Sequence, residues 1–112
     1  MAHRIRHHAD FRRDLRAQLS WLKENADPSW IEQLQADLRD ARRLISTFPD
    51  IGTIEAGKGT FVLRRFLLAK APYVLWFVRD TAAAKADIWF IRLFHARQKR
   101  PRPRPVPPRR GG

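Results

Sequence analysis

"TFVLRRFLLAKAPYVLWFVRDTAAAKADIWFIRLFH", residues 60–95, decides the fold. It contains three runs rich in Val, Ile, Phe and Trp: "TFVLRRFLL", "PYVLWFVRD" and "ADIWFIRLFH". Only "AKA" and "TAAAK" lie between them. β-Branched and aromatic side chains suit a pleated surface, and connections this short suit hairpins rather than crossovers. The stretch predicts a three-stranded antiparallel meander. Arg64 and Arg65 are adjacent in its first run and must point to opposite faces, because strand side chains alternate.

Upstream the period changes. Phe11, Leu15, Leu19 and Leu22 are spaced by four, four and three residues, which places them on one helical face with Arg12, Arg13, Arg16 and Lys23 elsewhere. Asp10 is the expected N-cap of this helix. "NADPSW" then ends it and starts a second helix, with Asp27 as cap and Pro28 at the first helical position. Ile31, Leu34, Leu38, Ala41 and Ile45 form the second helix's buried stripe, Trp30, Leu44 and Phe48 flank it, and Pro49 closes it. Two helices with so tight a joint read as an antiparallel hairpin covering one face of the meander. A short edge strand within "AHRIRHH" is compatible with residues 2–8, and "DIGTIEAGKG", with three glycines and little periodicity, reads as a loop. The expectation is an α+β fold: an N-terminal edge strand, a two-helix hairpin and a C-terminal three-stranded meander, all within residues 1–98. Residues 99–112, "KRPRPRPVPPRRGG", read as a disordered, polyproline-like basic tail.

The 112 residues suit one domain with a modest core, and a hydrophobic fraction of 44% is that of a folded chain. Net charge is +12, but residues 97–112 carry seven Lys or Arg and no acid, leaving +5 on residues 1–96. Such a field favours an acidic protein, nucleic acid or an anionic surface, without choosing among them. The absence of cysteine excludes disulfides, thiolate nucleophiles and Cys-ligated zinc. No apolar run reaches the roughly 18 residues of a membrane helix. The chain is read as a cytoplasmic protein with no membrane partner.

Catalytic constellations are scarce. "GTIEAGKGT" precedes a strand instead of linking a strand to a helix, so it is not a phosphate loop. His3, His7 and His8 lack companions at ligand spacing, so no metal or other cofactor is expected. Asp80 and Asp87 flank a connection and read as turn residues, and Ser20, Ser29 and Ser46 fall on helices without a nucleophile motif. Trp21, Trp30, Trp76 and Trp89 read as core side chains. What is left is Arg64, Arg65, Arg92, His95 and Arg97, which either hold and cleave a phosphodiester or serve as ordinary cationic strand residues.

The order of "LRRFLLAKAPYVLWFVRD" and "ADIWFIRLFHARQ" resembles the RelE/ParE superfamily of toxins from bacterial type II toxin–antitoxin, or plasmid stabilisation, systems. The matching positions are Arg64 or Arg65, Pro72 and Tyr73 with Arg79, and His95, Ala96 and Arg97; Asp14, Leu15 and "LISTFPDIG" match upstream. The resemblance covers about residues 3–98 and implies a toxin neutralised by an acidic cognate antitoxin, touching operator DNA only through that antitoxin. The RelE branch cuts mRNA on the ribosome without metal; if this chain does so, Arg64, Arg65, His95 and Arg97 are the implied catalytic residues. The ParE branch inhibits DNA gyrase, with Arg64, Arg65, Tyr73, His95 and Arg97 as the implied target-binding residues here. Val74 and Leu75 stand where the RNase branch often has an Arg, and Tyr73 is the sole tyrosine. The ParE-like reading, an inhibitor rather than an enzyme, is therefore preferred. A non-toxic member that only binds antitoxin is a third alternative.

Overall fold

The computed structural model describes residues 2–98 and 102–105. Five strands and two helices follow one another as β1 (Ile5–His7), α1 (Ala9–Asn25), α2 (Ser29–Thr47), β2 (Thr53–Lys58), β3 (Phe61–Leu67), β4 (Tyr73–Asp80) and β5 (Ile88–His95). The sheet order is β1-β5-β4-β3-β2, with β1 parallel to β5 and every other pair antiparallel. The edge strand, the helix pair and the meander stand as expected. The meander has one strand more, because "TIEAGK" is not a loop but β2, the outer partner of β3.

A glycine explains how that strand joins β3. Lys58 pairs with Phe61, leaving Gly59 and Thr60 as a two-residue hairpin loop in which Gly59 has φ +60 and Thr60 does not cross to positive φ. Glycine at the first loop position is what a II′ hairpin requires. The strand itself carries little apolar periodicity because it is an edge, and Glu55 sits in a bulge between Ile54 and Ala56.

Alternation sorts the sheet into two faces. Tyr73, Leu75 and Phe77 of β4 and Ile88, Phe90 and Leu93 of β5 face the helices and meet Phe11, Leu22, Leu34, Ala41 and Ile45 in the main core. Leu34 and Ile45 have no exposed surface, and burying a side chain of this size contributes about 1.5–3 kcal/mol. On the other face Leu63, Val78 and Ile91 form a second cluster with Ala56, Phe61, Trp76 and Trp89 beside it. A bulge at Ile91, where Phe77 pairs with Phe90 and Trp76 with Arg92, puts Ile91 on this face. Arg6 of β1 lays its guanidinium 4.6 Å from the Trp89 ring centre.

The helix ends differ from expectation in one detail. His8, not Asp10, caps α1: its Nδ1 accepts the Asp10 amide at 2.8 Å, and Asp10 lies in the first turn, where a carboxylate favours the helix dipole. Asp27 acts as expected, its Oδ1 accepting the Ser29 amide at 2.9 Å. Trp21 and Trp30 are not core residues. They lie off the buried stripes near the helix joint and are 56% and 42% exposed. Of the tail expected to be disordered, residues 102–105 form neither helix nor strand, and residues 99–101 and 106–112 lie outside the described residues.

Candidate functional site

The end of β5 is tied to the start of β4. Tyr73 pairs with His95 across the ladder, their rings meeting edge to face at 5.3 Å between centroids. Just beyond, the Ala96 amide donates to the Pro72 carbonyl at 2.8 Å. His95 Nδ1 accepts the Arg97 amide at 3.2 Å, so the neutral ring carries its proton on Nε2, and the His95 amide donates to the Gln98 side-chain oxygen at 3.0 Å. "FHARQ" is thus a folded strand terminus. Tyr73 is buried, and desolvation raises its phenol above the ordinary value.

What fixes this terminus is a residue the sequence reading passed over. Asp37 of α2 is 3% exposed, the one buried charged side chain among the described residues. Its Oδ2 accepts the amides of Lys70 and Ala71 at 2.8 and 2.6 Å, and its Oδ1 accepts Gln33 Nε2 at 2.7 Å. Burial works to raise its pKa, but these donors, the Ala71 amide foremost, outweigh that and hold the carboxyl below its ordinary value. The β3–β4 connection, which carries buried Leu68 and Ala71, is thereby pinned to α2, and Tyr73 follows it directly. The available signal was an acid on the apolar stripe, three residues after Leu34 and four before Ala41.

The two arginines predicted to join His95 do not converge on it. Arg64 pairs with Phe77 and points to the helix side, where its Nη1 donates to the Asp50 carbonyl at 2.7 Å. Arg79 reaches the same loop through the Asp50 carboxylate at 2.5 Å. Arg65 takes the other face and meets Glu55 at 3.1 Å. Arg64 lies opposite Phe77, four residues along β4 from Tyr73, or about 13 Å at strand rise. Arg97 is exposed and has no ion pair among the described residues. The expected set therefore divides into a Tyr73–His95–Arg97 terminus and two arginines held elsewhere, Arg64 at the Asp50 loop that Arg79 shares and Arg65 at Glu55.

Arg92 has a structural task. Beyond His7, β5 has no strand on its β1 side, and Asp14 of α1 takes that place: its Oδ2 accepts the Leu93 amide at 3.0 Å while the carboxylate accepts Arg92 Nε at 2.7 Å and Nη2 at 3.1 Å. The hydrogen bond that Arg92 donates to Asp14 raises the Arg92 pKa. Both Asp14→Ala and Arg92→Ala should lower unfolding free energy by about 2 kcal/mol, because charge-assisted bonds of this kind are worth more than neutral ones. The double variant should cost clearly less than the sum in chemical denaturation. Additive losses would contradict a coupled pair.

The histidines also have local tasks. His3 Nδ1 lies 3.0 Å from the Ala86 carbonyl, and His7 stacks on Phe90 at 5.6 Å and meets Phe11 at a tilt at 5.0 Å. Among the described residues no group of three His, Cys, Asp or Glu could hold a metal ion. No described helix is long and apolar enough to cross a membrane. Asp80 does act as a turn residue, accepting Thr60 Oγ1 at 2.5 Å and the Ala82 amide at 3.0 Å.

No family model matches the chain, and no curated protein matches it either. Solved structures do. A chain of the chromosomal ParDE TA system from P. aeruginosa superposes with a TM-score of 0.61 at 14% identity, covering 84% of this chain and 96% of that one. A chain of the archaeal RelE-RelB complex from Pyrococcus horikoshii OT3 gives 0.57 at 12% identity, with coverage of 88% and 100%. At such identities the likeness is one of fold, and it gives this chain the RelE/ParE-like fold that its sequence motifs imply.

Proposed function

We propose that this chain is the toxin of a type II toxin–antitoxin pair, that it restrains growth by binding DNA gyrase, and that an acidic cognate antitoxin neutralises it. The fold shared with chains of the ParDE and RelE-RelB systems supports the toxin reading. The preference for binding over cutting rests on the dispersal of the basic groups. Metal-independent cleavage of a phosphodiester needs an acid, a base and cations around one phosphate. Here Arg64 and Arg65 leave opposite faces of β3, Arg64 toward Asp50, which Arg79 also engages, and Arg65 toward Glu55, and Tyr73 is buried and protonated. The exposed Arg97 and the half-buried His95 are suited to contacting a protein surface.

The test combines three readouts: gyrase supercoiling and integrity of ribosome-bound mRNA with the purified full chain, and growth on its expression with and without a candidate antitoxin. The expected result is arrest relieved by the partner, blocked supercoiling and intact mRNA, with Arg97→Ala weakening the block. Cleaved mRNA with unimpeded supercoiling would replace the gyrase reading with the endonuclease one. Normal growth together with tight antitoxin binding would favour the non-toxic alternative.

A further inference from the structure

Arg39 and, one turn on, Arg42 and Arg43 lie on the exposed side of α2, and Ser46 follows at the next turn. Residues 3–5 run alongside, fastened by the His3 amide to the Ser46 carbonyl at 2.8 Å and by Ser46 Oγ to the His3 carbonyl at 2.5 Å. Between them lies an open groove of about 420 Å³ bordered by His3, Arg4, Arg39, Arg42, Arg43 and Ser46. This groove lies on the helix layer and the β1 edge of the sheet, away from the Tyr73–His95 terminus and from Arg65.

The cations of the groove are poorly compensated. Arg43 has Asp40 at 2.8 Å, and Arg4 stands 3.9 Å from Asp87, a separation at which an exposed pair contributes little. Arg39 and Arg42 have no ion pair among the described residues. His7, beneath this surface, has its pKa lowered by burial and then by the charges of Arg42 and Arg12, which is what an unneutralised positive field does to a neighbouring imidazole.

We propose that this groove is a binding site for the phosphodiester backbone of nucleic acid, with Arg4, Arg39 and Arg42 as its phosphate contacts. The chemistry selects that occupant. Protein partners take most of their affinity from aromatic, aliphatic or Arg anchors seated in desolvated pockets, whereas this groove is open and the single apolar side chain bordering it, Ile5, is half-buried and packed into the core. Phosphate backbones need no such anchor, because release of counterions by Lys and Arg supplies the affinity. Arg39 and Arg43 are separated by about 6 Å along the helix axis, so the stripe can follow consecutive phosphates of one strand. The site reads charge and shape, not base sequence. It does not depend on the toxin reading: either can fail alone.

The experiment compares the full chain with Arg4→Gln/Arg39→Gln/Arg42→Gln and with a tail control, Arg102→Gln/Arg104→Gln/Arg109→Gln, which removes the same charge. The probes are a labelled DNA duplex, an RNA duplex, a single-stranded RNA and poly-glutamate, each titrated over a series of salt concentrations. The groove variant should bind nucleic acid about tenfold more weakly or worse at low salt, with a log–log salt slope smaller by about 2 to 3, and should exceed the tail control in both. The probe that loses most identifies the DNA or RNA source. Equal losses in the two variants would reduce the effect to net charge and overturn the site. Loss of poly-glutamate binding with nucleic acid unchanged would assign the groove to an acidic peptide and overturn it as well. Should the triple variant fold poorly by circular dichroism, Arg39→Gln/Arg42→Gln, confined to one exposed helix face, reads the same comparison against Arg102→Gln/Arg104→Gln.

Discussion

Asp37→Ala should lower the unfolding free energy by about 3 kcal/mol, a large share of what a domain of this size has. The carboxylate accepts two main-chain amides and one side-chain amide in a place with almost no solvent, so its removal leaves the Lys70 and Ala71 donors without a partner. Each unpaired buried donor costs about 1–3 kcal/mol, and only part is recovered if water reaches the turn. Asp37→Asn should be milder, keeping one oxygen for the amides but losing the charge. A loss below about 1 kcal/mol for the alanine variant in urea unfolding would contradict the role given to the carboxylate.

The pH dependence has a definite sign. Because the folded-state pKa is depressed, the ionised carboxylate's contribution is complete above the unfolded carboxyl's ordinary value and is lost as pH falls through the lower folded value. The stability gap between wild type and Asp37→Ala should be constant from neutral pH down to about pH 4 and narrow below it. A functional consequence follows from position. Asp37 holds the β3–β4 connection, Pro72 receives the Ala96 amide, and Tyr73 backs His95, so the variant should also loosen the terminus that presents Arg97.

How far these features could be read from the sequence depends on whether they leave a periodic trace. The meander was legible because its strands are buried on one or both faces and so are almost continuously apolar. The α2 stripe was legible because burial on one helical face imposes spacings of three and four. β2 was not, since an edge strand with a bulge at Glu55 and glycines at both ends shows neither alternation nor a run; "KGTF" was its one local signature. Trp21 and Trp30 misled for the opposite reason: their size suggests a core position, although the stripe Phe11, Leu15, Leu19 and Leu22 already leaves Trp21 outside it. At the candidate site, the motif positions His95 and Tyr73 do meet, but the partition of Arg64 and Arg65 between Asp50 and Glu55 depends on β2 and the loop before it. A chain read without that strand has no way to assign those acids.

Gly52→Ala should be nearly as damaging as the loss of Asp37, at about 2–4 kcal/mol, and for a geometric reason. Gly52 has φ +85, where an L side chain is strained, and a Cβ there would overlap the Arg65 carbonyl oxygen and stand 3.2 Å from its carbon. The obstacle is backbone of the paired strand, so it cannot rotate away: either Gly52 leaves or β2 shifts along β3. Gly59 supplies the control. It too has positive φ, +60, but a Cβ there meets nothing within 4 Å, so Gly59→Ala should cost only the conformational part, about 1 kcal/mol. Gly52 leads directly into Thr53, the partner of Arg65, and its loop supplies the Asp50 carbonyl and carboxylate to Arg64 and Arg79. Hydrogen exchange in Gly52→Ala should therefore accelerate first at the Thr53–Lys58 amides while β4 and β5 stay protected. Equal destabilisation by the two glycine variants, or uniform loss of protection across the sheet, would mean that the close approach of Gly52 to Arg65 does not hold the edge strand in place.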